Sequence, residues 1–361
     1  MPPTSTSQSQ AHRWELIDAL RGVAAIVVLL FHSLNNFKGD DALPAALGLL
    51  RWFTEYGYLG VNVFFALSGW CIAQRVHNAF RRDESTWAFL LERGLRIFPT
   101  YWIALAVTLA LQTASAAVRG LPPSLALPPT AQAWLGDIAL LQPYLHTPVA
   151  LMVSWSLVYE LGFYVIATGV LALRRKMEFH TSLALTVGAL LCLWLVSPWQ
   201  PQVGYVLGRW PDFFAGVIAW SAVRAGSVGA RRNGLIALCA LGVFQWIATA
   251  SWIGIAAIGT GLILLFVQTL ERITISAVPV LARVGVLSYS LYLIHVSVMS
   301  PVQNLAQRWI PSGSTAFILV WLGSLAAAGI AAWLLYHWGE KPIEAWRKSL
   351  DLSRKPRARF A

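Results

Sequence analysis

Residues 15–33 read ELIDALRGVAAIVVLLFHS, a run long and apolar enough to cross a bilayer that nevertheless carries Asp18, Arg21 and His32. A helix of about 20 residues spans the hydrocarbon core at a rise of about 1.5 Å per residue. Each charged group at the centre of a span costs about 2.5 to 3.5 kcal/mol on insertion scales, so a simple anchor would carry leucine there. The polar residues therefore indicate a function inside the membrane.

The three ionisable side chains of this segment are predicted to share one helical face. Arg21 and His32 are eleven residues apart, which at about 100° per residue is close to three turns and about 16 Å along the axis. Asp18 lies one turn before Arg21 on nearly the same stripe. The pattern predicts a polar path into a helix bundle, with His32 deep and Arg21 nearer one end.

Composition indicates an all-α polytopic membrane protein. The chain is 57% hydrophobic and 12% charged, with a mean hydropathy of +0.60, whereas a soluble domain is about 25% charged. We interpret the net charge of +11 as a sign of membrane orientation and of contact with anionic membrane lipid, and we predict no nucleic-acid partner. Cys71, Cys192 and Cys239 lack metal-ligand spacing, so no metal site is predicted.

Apolar runs predict a transmembrane helix bundle of about ten membrane-spanning helices. The predicted spans are 15–36, 57–76, 97–118, 150–173, 181–197, 203–222, 234–250, 252–270, 285–304 and 315–338. Residues 234–270 are alternatively one long tilted span plus an interfacial piece. Most of the 27 Lys and Arg residues fall in the loops on the side of the N-terminus, which predicts that both termini are cytoplasmic.

The predicted domain organisation follows from these spans. A polar N-terminal tail covers 1–14, a transmembrane domain covers 15–345, and a basic cytoplasmic tail covers 346–361. The longest outer loop, 119–149, holds Pro122, Pro123, Pro128 and Pro129 and is predicted to be an extended, rigid lid candidate and not a helix. The N-terminus carries no cleavable signal peptide in this interpretation, because the first span itself targets the membrane.

Two arginines precede the third span in the sequence RGLRIFPTY. Arg93 and Arg96 are three residues apart on a predicted helical turn at the inner end of that span. Guanidinium groups there suit a phosphorylated ligand, because they pair bidentately with phosphate oxygens. The alternative is that they only follow the positive-inside rule. In the second span, Ser68 and Gly69 are interpreted chiefly as a helix-packing pair.

The fourth span contains a carboxylate that needs a partner. In VSWSLVYELGFY, Ser156, Glu160 and Tyr164 fall at i, i+4 and i+8 on one face. Either a basic side chain or hydroxyl donors must satisfy Glu160 at that depth, and Arg21, His32 and Arg96 are the basic candidates. The alternative is a structural ion pair that holds the helices in register.

Two further polar groups lie in later spans. Arg209 and Asp212 flank Pro211 and are predicted to pair with each other. Tyr292 and His295 share one face of the ninth span, where His295 is either a second functional group or a satisfied interior histidine.

Six motifs in this order resemble the acyltransferase-3 family of integral-membrane acyltransferases over nearly the whole chain. They are DALRG with His32 eleven residues after Arg21, FFALSGW, RGLRIFPTYW, SWSLVYELGFY, SYSLYLIH and the terminal EKP. The hydrolase-like appendage that is frequent in the family is not seen, so the chain resembles a stand-alone member. The resemblance places the protein in the bacterial cytoplasmic (inner) membrane as a multi-pass protein.

The resemblance implies transfer of an acyl group, most often acetyl, from acyl-coenzyme A as co-substrate, with no tightly bound cofactor. The acceptor it implies is a hydroxyl of a glycan or of a macrolide-type molecule. By matching position, Arg21 and His32 carry over as essential residues, and Arg93 and Arg96 as donor-site candidates. Ser156 and Glu160 carry over as further candidates for the catalytic site.

A mechanism follows as a hypothesis. An imidazole in apolar surroundings is expected to stay neutral near neutral pH, so His32 is the predicted general base for the acceptor hydroxyl. Glu160 or Asp18 is the predicted carboxylate that orients it. Arg21 is expected to meet the pantetheine or diphosphate part of the donor. A covalent acyl-histidine route stays open. The competing hypothesis is a transporter or flippase, since polar stripes on membrane helices also form substrate paths.

Overall fold

Every regular element in the part of the chain that the structure describes is helical. This computed structural model describes residues 5–35, 45–173, 176–179, 181–183, 185–186, 208–249, 252–270, 277–309 and 314–350. The chain divides into two compact units, each assembled from three segments. The first unit contains Met1–Phe64, Thr100–Ser154 and Thr269–Pro342, and the second contains Phe65–Pro99, Trp155–Gln268 and Ile343–Ala361.

The α-helices of the described residues are numbered in chain order. They are α1 (Ser5–Asn35), α2 (Ala45–Thr54), α3 (Gly60–Arg81), α4 (Thr86–Val118), α5 (Ala131–Ala139), α6 (Gln142–Leu145), α7 (Trp155–Ala172), α8 (Trp210–Ala225), α9 (Val228–Thr249), α10 (Ile255–Leu265), α11 (Val267–Leu270), α12 (Val278–Val286), α13 (Ser288–Trp309), α14 (Ser314–Leu335) and α15 (Lys341–Ser349).

Five described stretches are long and apolar enough to cross a membrane, and a bent helix pair is a sixth candidate. The five are Glu15–Asn35, Gly57–Arg81, Thr86–Val118, Met152–Ala172 and Thr315–Ser349. They confirm the first four predicted spans and the last one. The bent pair is α12 and α13, which meet at an angle of 67° where the sequence predicted one continuous span over 285–304.

The predicted spans between 181 and 270 are not confirmed as membrane spans. Most of 181–197 lies outside the described residues. The spans 203–222 and 252–270 correspond to the shorter helices α8 and α10, and 234–250 corresponds to α9. The alternative of one long tilted span plus an interfacial piece over 234–270 is not confirmed either, since α9 and α10 pack against each other and neither is among the candidate spans.

Large apolar side chains cover the outer surface of the candidate spans. On α4 and α14 the exposed ones include Trp102, Val107, Leu319, Ile330 and Trp333. Exposed apolar patches of this kind are rare on soluble monomers and fit a surface that faces lipid. With the spans above, they support an integral membrane protein.

Close helix packing in the first unit depends on two glycines. A Cβ at Gly285 of α12 would lie 1.7 Å from the carbonyl oxygen of Asp18, and one at Gly22 of α1 would lie 2.1 Å from the carbonyl oxygen of Leu281. The backbones of α1 and α12 therefore touch, as small residues allow in membrane helix pairs. This contact fixes the part of α1 that carries Arg21.

Ser33 connects the C-terminal end of α1 to α13 and α14 through hydrogen bonds. The indole nitrogen of Trp321 donates to Ser33 Oγ at 2.9 Å, and Gln303 Nε2 donates to the Ser33 carbonyl at 3.0 Å. Gln303 Nε2 also lies 3.0 Å from Ser324 Oγ. All of these polar groups are buried, so the network holds the neighbouring His32 in place.

The loop after α4 is folded, which corrects the prediction of an extended segment. It contains a 3₁₀ turn over Pro123–Ala126 and the helices α5 and α6. The prolines at 122, 123, 128 and 129 precede α5 without interrupting it, and the Thr130 side chain caps it by accepting from the Ala133 amide. Tyr101 and Trp102 of α4 donate to carbonyls of α5 and so fix the loop to α4.

The second unit is held together by an aromatic stack and by two close glycine contacts. Phe213 stacks on Phe65 and Phe163 with ring centroids 4.6 and 4.4 Å apart. A Cβ at Gly69 would lie 1.8 Å from the Phe213 carbonyl oxygen, and one at Gly216 would lie 1.8 Å from the Ala66 carbonyl oxygen. The packing role predicted for Gly69 is therefore confirmed.

Candidate active site

A pair of histidines forms the centre of the candidate site in the first unit. The imidazole rings of His32 on α1 and His295 on α13 have centroids 5.1 Å apart, with their planes 52° apart. Phe31 and Tyr292 lie beside the pair, with centroids 4.9 Å from His32 and 6.0 Å from His295. His32 is half-buried and His295 is 1% exposed.

Backbone contacts determine the tautomer of His295. Its Nδ1 lies 3.0 Å from the Leu291 carbonyl and 2.8 Å from the Tyr292 carbonyl. Carbonyl oxygens only accept, so Nδ1 carries the proton and Nε2 is an acceptor. That Nε2 is buried and has no hydrogen-bond partner among the described residues. Among the described residues, His295 is thus satisfied at Nδ1 and not at Nε2, and a functional role for it stays a prediction.

Arg21 and Asp18 form a loose pair near the middle of α1. Arg21 Nη1 lies 4.0 Å from Asp18 Oδ1, and both side chains are partly exposed. A contact of this length between partly solvated groups contributes little to stability. The guanidinium is therefore available to a ligand.

The continuous helix α1 also separates Asp18 from His32. The two residues are fourteen positions apart, which is about 21 Å along the axis. Asp18 therefore does not orient the His32 imidazole, and that part of the predicted mechanism is wrong. The separation of Arg21 and His32 by three turns stays as predicted, because α1 has no break between them.

Glu160 of the second unit is satisfied by hydroxyl donors. Tyr164 Oη donates to Glu160 Oε1 at 2.5 Å and Ser68 Oγ donates at 3.3 Å. The i, i+4 relation on α7 predicted the first contact, and the hydroxyl alternative is confirmed. Ser156 lies one turn earlier and is 5% exposed. Glu160 and His32 belong to different units, so the orienting role of Glu160 stays a prediction.

The two arginines of α4 differ in their environment. Arg93 is 7% exposed, bonds Glu92 Oε1 through Nη2 at 3.1 Å, and lies over the rings of Phe89 and Tyr164 at 5.8 and 5.9 Å. It is thus largely used in packing, although its Nε has no partner among the described residues. Arg96 is exposed.

Arg96 lies in the electrostatic field of several groups of the second unit. Glu160, Tyr164 and Glu344 all interact with its charge. These groups hold the guanidinium in place, while the Arg96 side chain keeps solvent-accessible surface. Of the two arginines, Arg96 is therefore the one that a phosphorylated ligand can reach.

A network of ion pairs surrounds Glu92 on the same helix. Glu92 accepts from Arg75 at 2.5 and 2.9 Å and from Arg347 of α15 at 3.0 Å. Arg75 also bonds the buried Glu84 at 2.6 Å, which fixes the turn between α3 and α4. The predicted Arg209–Asp212 pair is confirmed at 3.6 Å. These contacts are structural.

Sequence reasoning missed the pairing of His32 with His295 and the buried carboxylate of Asp137. A partial signal for the histidine pair was present in the sequence, since His295 lay on a polar face of its helix. Asp137 gave no signal, because it lies in a proline-rich loop. Its Oδ1 accepts from Gln142 Nε2 at 3.0 Å and from the Ala150 amide at 3.1 Å.

Comparison with known proteins confirms the resemblance seen in the motifs. Residues 14–337 match a family model described as an acyltransferase domain, the acyltransferase-3 model. No solved structure matches the chain.

Three relatives match most of the chain. It is similar to the exopolysaccharide production protein ExoZ of Rhizobium meliloti (strain 1021), with 29% identity over 80% of this chain and 89% of ExoZ. It is 26% identical to the putative membrane-bound transacylase BcsY of Komagataeibacter xylinus over 77% of this chain and 71% of BcsY. It is 26% identical to nodulation protein 10 of Rhizobium leguminosarum bv. viciae over 96% of this chain and 97% of that protein.

Proposed function

The chain belongs to the acyltransferase-3 family and is an acyltransferase, and on this premise we propose that it transfers an acyl group, acetyl first of all, from acyl-coenzyme A to a hydroxyl of a glycan. The names of ExoZ and BcsY support the premise, since one refers to exopolysaccharide production and the other to a transacylase. We assign the protein to the bacterial cytoplasmic membrane with both termini in the cytoplasm. The transporter hypothesis does not explain the family match.

The observation that carries the proposal is the His32–His295 pair inside the matched domain. A half-buried imidazole next to a second imidazole whose Nε2 is a free acceptor suits proton transfer at a hydroxyl. General base catalysis of this kind contributes about 10² to 10⁴ in rate. His32 is the proposed base, and His295 is the proposed partner that receives its N–H hydrogen bond.

The proposed reaction needs no metal and no energy source, because the thioester is already activated. Neutral His32 takes the hydroxyl proton as the acceptor oxygen attacks the thioester carbonyl carbon. A carbon–oxygen bond forms, the carbon–sulfur bond breaks, and the departing thiolate takes the proton from the His32 imidazolium. Nε2 of His295 accepts a hydrogen bond from that imidazolium and stabilises it while the charge exists.

Arginines on two helices are the proposed donor contacts. Arg96 is exposed and pairs with phosphate oxygens of coenzyme A, and Arg93 supports it from its buried position on the same helix. Glu160 holds Arg96 electrostatically, and Ser156 lies one turn from Glu160. Arg21, which is only loosely paired to Asp18, meets the pantetheine or diphosphate part of the donor.

Labelled acetyl-coenzyme A tests the proposal directly. Purified full-length protein in lipid nanodiscs should release coenzyme A thiol and label a saccharide acceptor. His32→Ala should lower the transfer rate by about 100-fold or more, whereas the matched control His337→Ala, at a partly exposed histidine outside the pair, should not. Full transfer by His32→Ala, or no thiol release by the wild-type chain with any acyl-coenzyme A, would refute the proposal.

A further inference from the structure

A cavity of about 710 Å³ lies in the first unit, between the last turns of α4, the folded loop after it and α13. This volume is within the range of about 300 to 1,000 Å³ that is usual for small-molecule sites. Leucine, proline, valine and methionine side chains form much of its wall. Its polar lining includes Gln112, Ser115, Arg119, Asp137, Ser300 and Asn304.

Asp137 lines this cavity and carries a polar atom whose role is unexplained. The residue is 1% exposed, and its Oδ1 already accepts two hydrogen bonds, from Gln142 and from the amide of Ala150. Its Oδ2 is buried without any partner among the described residues. A buried carboxylate oxygen without a donor is costly, so such a group needs an explanation, for which a bound ligand, an ion or an ordered water would suffice.

The loop that carries Asp137 is built as a rigid wall. Tyr101 Oη donates to the Asp137 carbonyl at 2.5 Å, and Gln112 Nε2 donates to the Ala150 carbonyl at 3.0 Å. The carboxylate is therefore fixed relative to α4. A binding group held in this way loses little entropy when a ligand arrives.

The cavity lies on the face of α13 opposite to His295. At about 100° per residue, Ser297, Ser300 and Asn304 point about 140° to 200° away from the direction of His295. A group bound in the cavity is therefore not the one that reacts at the histidine pair. An acceptor of several sugar units is long enough to pass α13 and occupy both places.

We propose that this cavity binds a neutral sugar unit of the acceptor glycan, several units away from the one that is acylated, and that Asp137 Oδ2 accepts a hydrogen bond from a hydroxyl of that sugar. This inference rests on the proposed function for the identity of the acceptor. Amide and hydroxyl side chains of the lining complete the hydrogen bonds of such a ligand, and the apolar wall packs against its C–H faces. The negative charge of Asp137 disfavours a carboxylate at the hydroxyl position that it binds, whereas Arg119 in the same lining carries the opposite charge.

Protection of an introduced cysteine tests the inference without any acceptor of known identity. In full-length protein with Cys71, Cys192 and Cys239 replaced by serine, Asn304→Cys places a thiol in the cavity wall. Cellobiose and chitobiose should slow its modification by a methanethiosulfonate reagent, whereas glucuronic acid should not. Asp137→Asn should raise the half-protecting cellobiose concentration by about tenfold or more, because a hydrogen bond to a charged group is lost.

Two further variants control the experiment. Glu55→Gln removes an exposed carboxylate outside the cavity and should leave protection unchanged. Leu125→Trp fills the cavity from a residue that is 71% exposed, so it tests the same space without disturbing the Asp137 network. It should also weaken protection by cellobiose.

The inference is overturned if neither disaccharide protects, if glucuronic acid protects instead, or if both Asp137→Asn and Leu125→Trp leave cellobiose protection unchanged. Thiol release from acetyl-coenzyme A is measured on the same samples. Protection without thiol release would support this inference and refute the proposed function, and thiol release without protection would do the opposite.

Discussion

Replacing His295 by asparagine shows whether His295 takes part in the reaction or only in packing. The asparagine amide nitrogen can keep the hydrogen bond that His295 Nδ1 makes to the Leu291 or Tyr292 carbonyl. The variant loses only the distal half of the ring, which carries the buried, unpartnered Nε2. We expect a large loss of transfer activity with a modest loss of stability.

The magnitude follows from the geometry of the pair. If Nε2 stabilises the imidazolium of His32 across 5.1 Å between ring centroids, its loss removes part of a proton-transfer contribution of about 10² to 10⁴. At about 1.4 kcal/mol per tenfold, a 100-fold fall corresponds to about 2.7 kcal/mol of transition-state stabilisation. The lost packing of a few ring atoms costs about 1 to 2 kcal/mol of folding stability.

The assay compares activity per folded molecule. Thermal unfolding in nanodiscs gives the stability, and thiol release from saturating acetyl-coenzyme A gives kcat. The matched control is His337→Asn, since His337 Nδ1 also lies 3.0 Å from the carbonyl one turn earlier but the side chain is not buried. If His295→Asn keeps kcat within about threefold of wild type while unfolding earlier, His295 only packs and the proposed pair is wrong.

Other predictions follow from single contacts. Gly285→Ala places a Cβ 1.7 Å from a backbone oxygen of α1, so α1 and α12 must separate by about 1.5 Å. The transfer activity should then fall about 100-fold. The control Gly323→Ala has open space around it and should keep wild-type activity in the same assay. Arg96→Ala should raise the KM for acetyl-coenzyme A about tenfold with little change in unfolding temperature. Arg93→Ala should instead lower the unfolding temperature, because it leaves Glu92 with fewer partners.

Hydropathy predicted the first four spans and the last because burial in lipid requires nearly continuous apolar sequence. It placed their ends less well. The third span was expected to begin at residue 97, but the helix begins at Thr86. The added turns contain the charged residues Glu92, Arg93 and Arg96, so hydropathy does not count them as part of a span. The last span runs on through Pro342 to Ser349, since a proline near a helix N-terminal turn or a π-bulge is tolerated.

Contacts between distant segments explain why the site was predicted only in part. The Glu160–Tyr164 hydrogen bond joins residues on one helix, and helical periodicity therefore predicts it. The His32–His295 pair joins residues 263 positions apart, and only the packing of α1 against α13 brings them together. Asp137 was missed for a different reason, since the prolines of the loop predicted an extended segment and not the Thr130-capped helix that carries Asp137.

The pH dependence of stability reports on Asp137. Burial raises the pKa of the Asp137 carboxyl above its ordinary value, although hydrogen bonds from Gln142 and Ala150 oppose the shift. The folded state therefore binds this proton more tightly than the unfolded state. The stabilisation from this tighter proton binding is fully present below the ordinary pKa of about 3.9. It is lost as the pH rises through the raised pKa of Asp137 in the folded state.

Asp137→Asn tests this linkage because asparagine is neutral at every pH. The amide oxygen of the substituted side chain can still accept from Gln142 and Ala150, so the loop should remain folded. The difference in unfolding temperature between variant and wild type should grow in favour of the variant from about pH 4 upward and then level off. A difference that shrinks over this range would mean that the carboxylate is stabilised in the fold. Oδ2 would then have a partner already, and the argument for a sugar at Asp137 would fail.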